Sequence, residues 1–249
     1  MRNIRLLIQY DGGRYLGWQK QTTTDNTIQG KLETLLCRMC GEPVEIHGSG
    51  RTDAGVHALG QVANFHTDSE MSTEEMLTYM NRYLPEDIAV IQVTEAGDRF
   101  HSRLNASRKT YRYLIDLKKV PNVFYRKYAV GVSETLDLQA MRQAAVHLCG
   151  THDFKAFTSA KKGKKSTVRT IHSIEIEENA FGEPGLVAIT YVGDGFLHHM
   201  VRILTGTLIE VGKGTRSEKD MEALLLGKDR AQTGMLMPAK GLTLVKVMY

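Results

Sequence analysis

The order in which two hydrophobic periods alternate along the chain sets the tightest limit on its fold. Residues 3–10 (NIRLLIQY) read as a strand that runs into a turn at Asp11-Gly12-Gly13. Residues 27–40 place Ile28, Leu32, Leu35, Leu36 and Met39 at helical spacing, with Asp25 or Asn26 as the expected cap and Gly41 and Pro43 as the stop. Residues 44–47 and 60–66 alternate as strands do, around a loop at 48–55. A second helix is expected over 73–83, started by Ser72 or Thr73 and stopped by Pro85, and a strand over 88–94. The order β-α-β-β-α-β is the ferredoxin-like plan.

The second half repeats the plan more loosely. Strands are expected at 109–116, 169–177, 186–192 and 242–247. Helices are expected at 136–148, 197–210 and 217–226. The pattern therefore predicts an α+β chain of tandem ferredoxin-like halves, residues 1–102 and 103–249, with a central antiparallel sheet. A cleft between two such halves is a natural place for a ligand.

The 249 residues suffice for a sizeable core, and 42% hydrophobic with 24% charged side chains excludes a disordered chain. Three cysteines make no disulfide framework, which points to a reducing compartment and a cytoplasmic protein. Residues 1–10 do not read as a signal peptide, and no stretch is long and apolar enough to cross a bilayer. The net charge of +4 hides an uneven distribution. Residues 1–102 carry 9 basic and 14 acidic side chains, residues 103–169 carry 15 and 4, and residues 170–249 carry 8 and 10. A central stretch of net +11 suits a polyanionic partner, or equally a lysine-rich solvated surface.

Four segments carry the chemistry. In Gly48-Ser49-Gly50-Arg51-Thr52-Asp53-Ala54-Gly55, an arginine and a carboxylate stand two apart among small residues. Asp53 there suits a nucleophile, a general base or a metal ligand, or else a plain Asx turn. The loop lacks the spacing of a nucleotide-binding P-loop. Residues 107–113 (SRKTYRY) interleave cations and aromatics, with Lys109, Tyr111 and Tyr113 on one strand face. That arrangement grips splayed RNA bases or simply fills a core. Lys161, Lys162, Lys164 and Lys165 form a basic arm with no acid between Phe154 and His172. In Gly195-Phe196-Leu197-His198-His199-Met200-Val201-Arg202, Arg202 lies in an apolar stripe and so wants a carboxylate partner. The adjacent His198 and His199 read as structural rather than metal-binding. Cys37 and Cys40 end a helix with no second pair nearby and read as ordinary thiols rather than a zinc or redox site.

Taken together, these residues resemble the tRNA pseudouridine synthase A family from end to end. The resemblance rests on Tyr10-Asp11-Gly12, Gly17-Trp18-Gln19, Thr27-Ile28-Gln29, the loop Gly50-Arg51-Thr52-Asp53-Ala54-Gly55-Val56-His57, Phe100-His101-Ser102-Arg103, Tyr111-Arg112-Tyr113, Phe157-Thr158-Ser159, Val168-Arg169-Thr170-Ile171 and the Phe196–Arg202 run, in order. It implies conversion of uridine to pseudouridine at positions 38–40 (tRNA numbering) of the tRNA anticodon stem-loop, by a homodimer that uses neither metal nor cofactor. It also implies that Asp53 is the nucleophile, that Tyr111 stacks on the target base, and that Arg51 and Arg202 are the active-site arginines. The chain departs from the family pattern at Gly13, at Leu16 and at Ile203-Leu204-Thr205-Gly206, which leaves a paralogue with another RNA target as the alternative.

Two other classes compete. A non-catalytic RNA-binding protein on the same scaffold has little use for a carboxylate set beside Arg51. A glycosidase-like hydrolase needs a second carboxylate, and nothing around Asp11 or Asp194 marks either as one. If the basic arm meets phosphate, charge reversal at Lys161, Lys162, Lys164 and Lys165 weakens tRNA binding. It also lowers the slope of log affinity against log salt by about 0.7–0.9 for each phosphate no longer neutralised, as measured by filter binding. The same change spread over residues 1–102 does less.

Overall fold

The computed structural model describes residues 1–160 and 166–249. In chain order its elements are β1 (Arg2–Tyr10), α1 (Ile28–Cys40), β2 (His47–Gly48), β3 (His57–Thr67), α2 (Thr73–Tyr83), β4 (Ile88–Ala96), β5 (Arg108–Asp116), β6 (Val130–Gly131), α3 (Leu138–Leu148), β7 (Gly150–Asp153), β8 (Val168–Glu178), β9 (Leu186–Gly193), α4 (Met200–Gly212), α5 (Asp220–Gly227) and β10 (Leu242–Met248). The chain is thus mixed α+β with mostly antiparallel sheet. It divides into two compact units, residues 1–107 with 243–249, and residues 108–242. Among the described residues no helix is long and apolar enough to cross a membrane. The lysine arm at 161, 162, 164 and 165 lies outside the described residues.

In the first unit the strand order is β4-β1-β3, with β2 also on β3. β1 is antiparallel to both neighbours, from Arg2↔Thr67 to Tyr10↔Ala58 on one side and from Asn3↔Ala96 to Tyr10↔Ile88 on the other. The alternation read from the sequence is real, since Ile4, Leu6 and Ile8 are fully buried. The buried stripes of α1 (Ile28, Leu32, Leu36) and α2 (Met76, Met80) complete this core. α2 starts on a capping box between Ser72 and Glu75. β10 joins β3 in parallel through Thr243↔His57 and Leu244↔Ala58.

Two expectations need correction here. The cap of α1 is Thr27, whose side chain accepts from Gly30 N–H, rather than Asp25 or Asn26. Asn26 instead donates from its amide to the Arg14 carbonyl. The strand expected at 44–47 shrinks to two residues at 47–48. Its backbone is satisfied from α1 instead, because Val44 N–H reaches Cys37 Sγ (3.2 Å) and Ile46 N–H reaches the Glu33 carboxylate (3.3 Å). Cys37 is thus a structural thiol.

In the second unit the order is β5-β9-β8-β7, all antiparallel, with β6 parallel to the end of β5. β5 and β9 pair from Lys109↔Gly193 to Asp116↔Leu186, which sets Tyr111 opposite Tyr191. α3, capped by Asp137, packs on β8 and α4. α4 is the most buried helix, with only Arg202 and Glu210 partly exposed. It begins three residues later than the apolar stripe predicts. His199 sits in the left-handed region (φ 65°) and breaks the stripe ahead of Met200, so His198 and His199 precede the helix.

Candidate active site

A carboxylate presented on an irregular loop needs that loop held by something other than a strand ladder. In the first unit a set of buried polar side chains does this. Ser49 and Gln61 are both fully buried. The Ser49 hydroxyl donates to Gln61 Oε1 (2.6 Å), and Gln61 Nε2 donates to the Gly50 carbonyl (2.9 Å). Beyond Arg51, the Thr52 hydroxyl pairs with the Tyr10 hydroxyl (2.9 Å), and the Thr52 carbonyl accepts from Trp18 N–H (3.0 Å). Burial pushes the Tyr10 phenol up to about 12, against the opposing pull of its bonds to Thr52 and Gln61, so it stays a neutral hydroxyl.

The loop closes on a turn at Asp53. Val56 N–H donates to the Asp53 carbonyl (3.1 Å), and Gly55 N–H to the Tyr15 carbonyl (3.3 Å). Asp53 is half-buried and Arg51 is exposed. The turn's far end sits against residues 11–13. His57, 4% exposed, accepts at Nδ1 from Gly12 N–H (3.1 Å) and lies 3.1 Å from Asp11 Oδ1. A Cβ at Gly12 would stand 1.9 Å from the Val56 carbonyl oxygen, so only glycine lets the two backbones meet.

Tyr111 and Arg202 belong to the second unit. Tyr111 is 8% exposed, and its ring meets Phe196 edge to face at 5.2 Å. Two residues on, Tyr113 is fully buried and its hydroxyl donates to the Pro238 carbonyl (2.7 Å). Burial raises the Tyr113 phenol, and the nearby Arg202 charge partly opposes that. Arg202 Nε donates to the Met237 carbonyl (2.7 Å), which fixes the stem of the side chain. The segment that carries Met237 is itself clamped to α4. Gly234 N–H donates to the Thr207 hydroxyl (2.9 Å), and a Cβ at Gly206 would stand 2.0 Å from the Met235 carbonyl oxygen.

The structure therefore brings Arg51 and Asp53 together on one loop and places Tyr111 and Arg202 in the other unit. The sequence pattern does not reveal the supports: Gln61, Ser49, Tyr10 and Thr52 under the loop, and the 233–238 segment under Arg202. The available signal is Gln61 itself, a long polar side chain inside the apolar run from Leu59 to Ala63 of β3. Gln61→Leu strands the Ser49 hydroxyl and the Gly50 carbonyl together. Urea unfolding then shows a stability loss of about 1–3 kcal/mol.

Known proteins match this chain along most of its length. Residues 6–105 and 144–249 match the profile of a family described as tRNA pseudouridine synthase. "tRNA pseudouridine synthase A" of Bacillus sp. (strain KSM-64) is 50% identical over 234 residues, covering 94% of each chain. "tRNA pseudouridine synthase A 2" of Bacillus cereus (strain ZK / E33L) is 47% identical over 249 residues, the full length of both. "tRNA pseudouridine synthase A 1" of Clostridium tetani (strain Massachusetts / E88) is likewise 47% identical over the full length of both. Among solved structures, a chain of a Cbf5-Nop10-Gar1 complex aligns with 97% of this chain at 11% identity and a TM-score of 0.36, and this chain spans about half (48%) of its length. With the family profile matched in both units and relatives this similar along the whole sequence, the chain belongs to the tRNA pseudouridine synthase family.

Proposed function

We propose that this isomerase converts uridine to pseudouridine at positions 38–40 (tRNA numbering) of the tRNA anticodon stem-loop, with Asp53 as its nucleophile. The observation that carries the reading is the loop around Asp53. The residues before that carboxylate are tied to the buried core of the first unit through Gln61 and Tyr10, and Gly55 after it is tied to the Tyr15 carbonyl, while Arg51 stays exposed. Such a carboxylate is pre-positioned, which is what a nucleophile needs.

A stem nucleotide is hidden by stacking and has to be turned out of the helix before any side chain reaches it. Arg51 occupies the vacated space and holds the phosphate backbone. The Asp53 carboxylate attacks the extruded nucleotide at C1′ of the ribose or at C6 of the base. The bond between N1 and C1′ breaks, the base turns while it stays bound, and C5 bonds to C1′. The C5 proton leaves to Tyr111, directly or through water, N1 takes up a proton, and Asp53 is released as a carboxylate. Tyr111 stacks on the base, with its ring braced by Phe196. Arg202 pairs with Asp53 and aims it. Every step rearranges atoms already bound, so the reaction calls for no cofactor or metal.

The tandem ferredoxin-like plan, with domains 1–102 and 103–249 and the reaction cleft between them, belongs to the same reading. The strand order β4-β1-β3-β2 of the first unit supports it. A homodimeric, cytoplasmic working form and phosphate contacts from Lys161, Lys162, Lys164 and Lys165 belong to this reading as well.

Pseudouridine mapping of total RNA with and without this protein tests the substrate. Signal lost only in the anticodon stem-loop supports the reading, and signal lost in ribosomal RNA makes the chain a retargeted paralogue. Asp53→Asn lowers single-turnover isomerisation by about 10⁴-fold or more while tRNA still binds. Full activity in that variant removes Asp53 from the chemistry. Tyr111→Phe keeps the stacking surface and slows turnover by about 10²-fold, and an unchanged rate excludes Tyr111 as the proton acceptor.

A further inference from the structure

Residues 118–128 (KKVPNVFYRKY), between β5 and β6, hold four basic side chains and no acid. This connection is fixed in place by its hydrogen bonds. Asp116, 4% exposed at the end of β5, accepts from Lys118 N–H (3.0 Å) and from Asn122 N–H (2.9 Å). The Asn122 side chain accepts from Phe124 N–H (3.0 Å) and donates to Glu183 (3.1 Å), which also pairs with Lys118. Consecutive turns follow, with Tyr125 and Tyr128 N–H on the Asn122 and Tyr125 carbonyls. Tyr125 turns inward against Leu114, Ala180 and Leu186.

The outward side of this fixed segment is apolar. Phe124 is 82% exposed, Val120 79% and Val123 62%. An ordered phenyl ring left in water contributes nothing to folding, so its benefit lies in something that covers it. Its surroundings are cationic. The Arg126 guanidinium donates to the Val123 carbonyl (2.8 Å), and Lys240 Nζ donates to the Arg126 carbonyl (3.0 Å). Arg126, Lys240 and Lys119 have no acidic partner among the described residues.

We propose that this segment is a tRNA-docking surface, separate from the residues assigned to the chemistry, on which Phe124 stacks against an unpaired base while Lys119, Arg126 and Lys240 contact the flanking phosphates. A flat ring among cations without acidic partners matches the two faces that an unstacked nucleotide presents. A second copy of this chain is the poorer occupant. A two-fold contact would set the segment against itself, cation facing cation, and the nearby Glu183 is already engaged by Lys118 and Asn122.

The proposal rests on the reading of this chain as a tRNA-modifying enzyme. Its test uses the full chain and an unmodified tRNA transcript, and reads the dissociation constant as a function of salt together with the sedimentation of the free protein. Phe124→Ala weakens binding about tenfold, and Phe124→Trp restores it because indole also stacks. Arg126→Glu weakens binding too, and lowers the salt slope by about 0.9. Folded Phe124→Ala protein that binds tRNA within about twofold of wild type overturns the surface while leaving the nucleophile reading intact. So does a change of oligomeric state in place of a change in affinity, which gives the patch to a second copy. Wild-type protein that binds tRNA but does not isomerise it removes the enzymatic reading and leaves the docking surface standing.

Discussion

The double grip of Gln61 on residues 49 and 50 is the interaction from which the rest of the site follows. A strand positions its side chains through its ladder. The loop that carries Arg51 and Asp53 has no ladder, so its backbone groups must find partners elsewhere. Gln61 supplies an acceptor and a donor from the middle of β3, and Tyr10 supplies a hydroxyl from the end of β1. Both strands lie in the best-packed part of the first unit, where Ile4, Leu6 and Ile8 are fully buried. The rigidity of the core is thereby carried to Asp53 through three side-chain hydrogen bonds.

The second unit solves the same problem differently. Arg202 stands on the most buried helix, and its guanidinium stem is held from a crossing segment rather than from below. Gly206 and Gly234 let that segment lie against the helix backbone, and the Met237 carbonyl then meets Arg202. Tyr111 takes its position from an antiparallel pair with Tyr191 and from Phe196 at its edge. The arginine is thus held by a backbone carbonyl and the tyrosine by packing, whereas the loop of the carboxylate is held by buried side-chain hydrogen bonds.

What is legible in the sequence follows from the range of the forces involved. β1, α1, α2, β4 and α3 are readable within a few residues because apolar periodicity and caps are local. Residues 44–46 read as a strand because they alternate, yet their hydrogen bonds go to Cys37 and Glu33 on a helix, a tertiary choice that no local pattern records. The start of α4 reads three residues early because an apolar stripe does not reveal one left-handed residue at His199. Asp53 and Arg51 stand out because small residues around a charged pair are unusual. The groups that hold them do not, since Gln61 lies outside the loop on β3 and becomes meaningful only once the loop folds over it.

Electrostatics ties the fold to its partner. Residues 1–102 carry a net charge of −5, so the region with Asp53 repels a phosphate backbone as a whole. An exposed Arg51 next to Asp53 changes the field locally but does not reverse it. Residues 103–169, with fifteen cations against four acids, are where the sequence concentrates its attraction for a polyanion. The modest net charge of +4 is therefore the sum of an acidic first stretch, a strongly cationic middle and a slightly acidic end.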